Sequence, residues 1–232
     1  MRCSFLVKRY ISIVIVYLLC LLSPYIPGFM ALAHKFPTVQ QGYGVVYTTV
    51  FFLTLAVVLL LLWPDRKLNL MRAEKRASLP VSVLWAVGGV FGLFFLQILA
   101  TFINFSIFGQ VSGSEHTRQV ETLTRYSPVF LLTVSIVGPI LEEIVFRKIL
   151  FGSLRRKLGF WFAAIISSLV FAVMHQDLRN LLVYVLIGIF LCFTYQMTRR
   201  IAVNMFMHAT MNAIVVLISY GVSTAGFAAF LS

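Results

Sequence analysis

Six polar residues in an otherwise apolar half of the chain could do chemistry together. They are Glu142, Glu143 and Arg147 in "GPILEEIVFRK", His175 in "FAVMH", and His208 and Asn212 in "HATMN". Three pairs share an offset of four: Glu143 with Arg147, Phe171 with His175, and His208 with Asn212. On a helix that offset puts both members on one face. Glu143 precedes Arg147 in the order that favours a helical ion pair, which leaves open a structural lock or a direct part in the chemistry. Glu142 points about 100° away. It lacks that partner, so it is the carboxyl expected to exchange protons.

Two carboxylates, two imidazoles and an amide are what peptide hydrolysis requires: a base for water, a group to orient it, and donors for a tetrahedral oxyanion. Glu142 with His175 would activate the water, and His208 with Asn212 would supply the oxyanion donors. The same residues offer a zinc alternative through Glu142, His175 and His208, three protein ligands plus water. The residues leave metal or no metal open. Phe171 is expected to pack beneath His175, and His34 and His116 to lie in loops.

The elements that must position these groups are membrane helices. The 232 residues are 60% hydrophobic and 11% charged, with a mean hydropathy of +0.96, which excludes a water-soluble globular domain. A crossing needs about 20 apolar residues. Seven windows qualify, at roughly 10–29, 43–63, 81–108, 127–147, 160–175, 181–197 and 201–219. The fold class expected is an all-α polytopic membrane bundle with a four-helix catalytic core. It forms one integral membrane domain, with 1–125 as accessory spans and 126–215 as the core.

The net charge of +12 does not read as a nucleic-acid stripe, because the basic residues mark alternate loops. Fifteen of the 19 fall at Arg2, Lys8, Arg9, Arg66, Lys67, Arg72, Lys75, Arg76, Arg147, Lys148, Arg155, Arg156, Lys157, Arg199 and Arg200. That asymmetry predicts a cytoplasmic N-terminus and, with seven spans, an external C-terminus. The "ALA" at 31–33 lies well past the first apolar run, beyond Pro24 and Pro27, so an uncleaved first span is expected. Cys3, Cys20 and Cys192 show no disulfide or zinc spacing. The polar stretch 109–128, with Glu115, His116 and Glu121, reads as a solvated external loop.

Depth gives a further expectation. Counting from a cytoplasmic turn at "SLRRKLG", Glu142 and His175 lie at one level, roughly 20 to 25 Å up two arms of a helical hairpin. Pro139 would free a backbone carbonyl near Ser135 and bend the helix one turn before the glutamates. Ionisable groups persist at such depth mainly where they face a protein interior or a wet cavity.

At these residues the chain resembles the CPBP (CAAX protease and bacteriocin-processing) family of intramembrane proteases, also called the Abi family. "EEIVFR" matches its EExxxR motif, "FAVMH" its FxxxH and "HATMN" its HxxxN, in the family's order, over about residues 125–215. The resemblance implies a glutamate-dependent endopeptidase, long described as a metalloprotease. In its eukaryotic relatives the glutamate and first histidine activate water while the second histidine and asparagine bind the oxyanion. It implies a peptide or protein substrate in or at the membrane, no nucleic acid, and a multi-pass place in the cell membrane, with short loops resembling bacterial members. Two other classes fit the same residues: a non-enzymatic immunity or scaffold protein of this fold, and a proton-coupled transporter. The second would usually carry an inverted repeat, and none is visible.

Overall fold

The computed structural model describes residues 2–65, 75–108 and 115–231, and every element in them is helical. The expected basic anchor at Arg66, Lys67 and Arg72 lies outside the described residues, as do the side chains of Arg2, Cys3, Glu115 and His116. In chain order come α1 (Arg2–Leu22), α2 (Pro27–Ala33), α3 (Val39–Leu62), α4 (Leu79–Phe108) and α5 (Glu115–Tyr126). A compound run follows: α6 (Phe130–Leu132), a first π-helix (Thr133–Val137), α7 (Gly138–Glu142) and a second π-helix (Glu143–Phe151). The chain then continues as α8 (Gly152–Met174), α9 (Leu181–Thr198) and α10 (Ile201–Leu231).

Six helices among the described residues are long and apolar enough to cross a membrane, so the chain is an all-α polytopic bundle. The count is one fewer than the seven windows because the fourth and fifth fall in a single 45-residue run, Phe130–Met174. That run is broken at Gly159, whose φ of 75° and ψ of −179° interrupt the helix. A side chain there would be strained, which is why glycine ends one helix and starts the next.

Inside and outside are inverted relative to a soluble protein. Leu60, Leu84, Phe91, Phe95 and Ile98 are exposed, whereas Glu143, Arg147, Asn204 and His208 are buried. Backbone groups are satisfied within helices, and polar side chains turn toward protein, as a hydrocarbon solvent demands.

The chain groups into two compact units, 1–61 with 117–139 and 209–232, and 62–116 with 140–208. In the first, Val120, Phe130 and Val216 form a small core with Tyr47, Leu123, Leu131 and Val134 against it. Tyr47 meets Phe51 edge-on at 4.9 Å, and Thr133 Oγ1 donates to Thr48 Oγ1 at 2.9 Å. The stretch expected to be a solvated loop contains α5, because Val120, Leu123 and Thr124 recur on one helical face and turn inward.

The second unit holds the residues of interest. Its core is Phe151, Ala163, Ala164, Cys192 and Tyr195, with α8 packed on α9 and on the second π-helix, and α4 on α9. A Cβ on Gly188 would stand 2.7 Å from Ser168 Cβ, so glycine is what lets α9 approach α8. Arg199, in the left-handed region at φ 56°, ends α9 and hands the chain to α10. Arg200 Nε and the Ala77 amide tie this junction to the chain entering α4, through Ala77 O at 3.0 Å and Thr198 O at 3.1 Å. After α8, Asp177 accepts from the Asn180 amide at 3.3 Å and caps the next turn.

Candidate active site

Pro139 has no amide hydrogen to give, and around it the helical ladder slips. The Gly138 amide bonds to Thr133 O, five residues back, and a second π-helix starts at Glu143. Such insertions are costly in the helix and recur at functional sites. The Phe146 carbonyl accepts from Ser167 Oγ of α8 at 2.9 Å, which fastens the π-segment beside the next helix.

Glu143 is fully buried and its two oxygens are divided between neighbours. Oε1 lies 3.1 Å from Arg147 Nη1 and 3.0 Å from His208 Nδ1, while Oε2 accepts from Asn204 Nδ2 at 3.1 Å. A carboxylate facing a guanidinium is ionised and can only accept, so His208 Nδ1 carries a proton. Arg147 is itself fully buried. Its contact with Glu143 is one of charge: none of its three guanidinium nitrogens makes a hydrogen bond among the described residues, despite the 3.1 Å separation. The guanidinium carbon sits 4.1 Å from the centroid of the Phe171 ring, so the aromatic face provides what the hydrogen bonds do not.

Phe171 is the hub of the aromatic packing. Its ring meets Phe146 at 5.3 Å, His175 at 4.5 Å and His208 at 5.8 Å, each edge-on. His175 Nδ1 lies 2.8 Å from the Phe171 carbonyl, an acceptor, so that nitrogen carries a proton. The His175 ring stacks on Tyr184 at 4.2 Å with 26° between planes. Glu142 differs from its neighbour. Its side chain is 20% exposed, and Oε2 faces His208 Nε2 at 3.6 Å without a hydrogen bond.

The structure therefore brings Glu142, Glu143, Arg147, Phe171, His175 and His208 into one assembly within the second unit. Asn212 belongs to the other unit, where its Nδ2 donates to the Val134 carbonyl at 3.2 Å. Two neighbours of the site were not anticipated. Tyr184 carries no sequence signal, but Asn204 does: 204, 208 and 212 form a four-residue polar series in "NMFMHATMN". Among the described residues no three His, Cys, Asp or Glu side chains stand together as a metal-holding set. As placed here, Glu142, His175 and His208 do not form a three-ligand zinc set.

Residues 124–214 match the family profile described as Type II CAAX prenyl endopeptidase Rce1-like. YdiL of Bacillus subtilis (strain 168), provisionally named a membrane peptidase, is 39% identical over 171 residues, 74% of this chain and 70% of that protein. The membrane-embedded CAAX protease MroQ of Staphylococcus aureus (strain USA300) is 30% identical over 217 residues, 88% of this chain and 86% of that protein. No solved structure matches.

Proposed function

We propose a division of catalytic labour on the premise that this chain belongs to the CAAX-protease (CPBP, Abi) family of intramembrane proteases. The chain is an intramembrane hydrolase of the glutamate and histidine type, a multi-pass protein of a bacterial membrane acting on a membrane-associated substrate. The finer reading is an endopeptidase that cuts a peptide or protein tail entering from the cytoplasmic half of the bilayer. Glu142 takes a proton from water, His175 orients that water, and His208 donates from Nε2 to the oxyanion.

One observation supports this assignment: Glu142 Oε2 and His208 Nε2 face each other at 3.6 Å with no hydrogen bond between them, so one oxygen placed beside the pair would be within reach of both. The hydroxide forms a C–O bond to the peptide carbonyl, whose π electrons move to oxygen beside His208. Glu142 then returns its proton to the leaving nitrogen as the C–N bond breaks. In this proposal His208 bonds through Nδ1–H to Glu143 and through Nε2–H to the oxyanion. Asn212, one turn beyond His208 on α10, is the second oxyanion donor in this proposal, on its spacing alone. The remaining architecture belongs to the proposal too: one membrane domain, a catalytic core over 126–215, seven crossings with Gly159 at the turn of a hairpin, and a cytoplasmic N-terminus.

The test is cleavage of candidate peptides in proteoliposomes, wild type beside Glu142→Gln, with and without a chelator. Cleavage by the wild type that survives the chelator and disappears in the variant is expected. Equal products from both proteins would remove Glu142 from the chemistry, and a non-catalytic binding role would then explain the fold better.

A further inference from the structure

Asn204 is a fully buried amide at the start of α10, one turn before His208 and on the same face. Both of its N–H bonds are used: Nδ2 donates to Glu143 Oε2 at 3.1 Å and to the Leu191 carbonyl of α9 at 2.7 Å. Its Oδ1 is buried with no hydrogen-bond partner among the described residues. An interhelical fastener would gain by satisfying both ends of the amide, whereas here the acceptor is forgone and both donors are placed.

The placement matters because Glu143 has a competing partner. Arg147 offers three nitrogens without hydrogen bonds, and a carboxylate left to rotate beside a guanidinium forms the two-pronged pair that this geometry favours. Such a rotation would take Oε1 off His208 Nδ1. Asn204, anchored on a second helix through Leu191, pins Oε2 and so keeps Oε1 on the histidine. The charged and titratable groups around this carboxylate are Arg147 on its own helix, His208 on α10 with Glu142 beside it and Cys192 on α9, with His175, just past the end of α8, reached through the Phe171 ring.

We infer that Asn204 is a positioning residue that divides Glu143 between Arg147 and His208 and thereby keeps a proton on His208 Nδ1. This rests on the proteolytic reading above, but its first test does not. Full-length protein labelled with [15N]histidine, with the His208 signals assigned by His208→Gln, reports a hydrogen-bonded Nδ1–H in the wild type. Asn204→Leu, similar in size and without donors, loses that signature. An unchanged Nδ1–H in the folded variant overturns the inference, whether or not any peptide is cut.

Two further readouts separate positioning from packing. Asn204→Leu lowers kcat roughly tenfold or more with KM kept within about twofold. In Asn204→Asp a same-sized acid can donate to Glu143 only while protonated. Its activity relative to wild type is highest at about pH 5 and falls steeply toward about pH 9. A ratio that stays flat over that range overturns the inference even if the leucine variant fails to fold. Absence of cleavage by the wild type itself would count against the proteolytic reading alone, and the nitrogen spectrum would still decide the role of Asn204.

Discussion

His208 Nδ1 lies 3.0 Å from Glu143 Oε1, so a histidine at the start of α10 is bonded to the first residue of a π-helix far away in sequence. The bond fixes the proton on Nδ1 and turns Nε2 toward Glu142. The adjacent glutamates have different surroundings. Glu143 is enclosed by Arg147, Asn204 and His208, while the Glu142 side chain is partly exposed and its Oε2, itself buried, makes no hydrogen bond among the described residues.

Arg147→Met should destabilise the protein by about 3–5 kcal/mol, because it leaves the Glu143 carboxylate buried without its cation. Thermal unfolding in detergent checks this. The double variant Glu143→Gln/Arg147→Met should recover most of the loss, since the buried charge goes with its partner, yet remain inactive.

Gly159→Ala should cost about 1–3 kcal/mol, the usual penalty for a side chain in a region of backbone space reserved for glycine. No neighbour stands within 4 Å of its Cβ, so the cost is conformational alone. Alanine at Gly221, which also has open space, should change the melting temperature little by comparison.

Gly188→Ala should destabilise by about 1–3 kcal/mol through overpacking against Ser168. Ser168→Gly in the same chain removes the Cβ that is struck and should restore part of the loss. Melting curves of the two singles and the double give the coupling directly.

Phe171→Leu removes the ring under Arg147 but not the backbone carbonyl that holds His175. A loss of about 0.5–2 kcal/mol in stability is expected in the wild-type background, and a smaller one when Arg147 is already Met. Equal losses in the two backgrounds, read by thermal unfolding, would mean that the aromatic face contributes nothing specific to Arg147.

Much of this was legible in the chain itself. Apolar windows locate the helices because a bilayer imposes their length, and the four-residue offset of Glu143 and Arg147 reappears as a 3.1 Å contact. Counting residues from a turn gives the depth of a side chain but not its azimuth. Depth counting could therefore raise the expectation that Glu142 and His175 share a level, yet could not foresee that Glu142 Oε2 would face His208 Nε2. The π-helices were hidden for a related reason: Pro139 announces a disturbed ladder, but whether the helix bends or gains a residue is settled by its neighbours. Asn204 shares the four-residue polar series of His208 and Asn212, but the series alone does not say that its amide reaches Glu143. The helix at 115–126 was obscured by its polarity, which belongs to one face only.

The most direct measurement sets two isosteric neighbours side by side: single-turnover cleavage in proteoliposomes and thermal unfolding for Glu142→Gln and Glu143→Gln. Glu142→Gln should keep the melting temperature of the wild type and lose cleavage by at least about a hundredfold. Glu143→Gln should lose both, because Arg147 is then buried without its counter-charge. A Glu142→Gln protein that cuts at the normal rate, or a Glu143→Gln protein that is as stable as the wild type, would contradict the account.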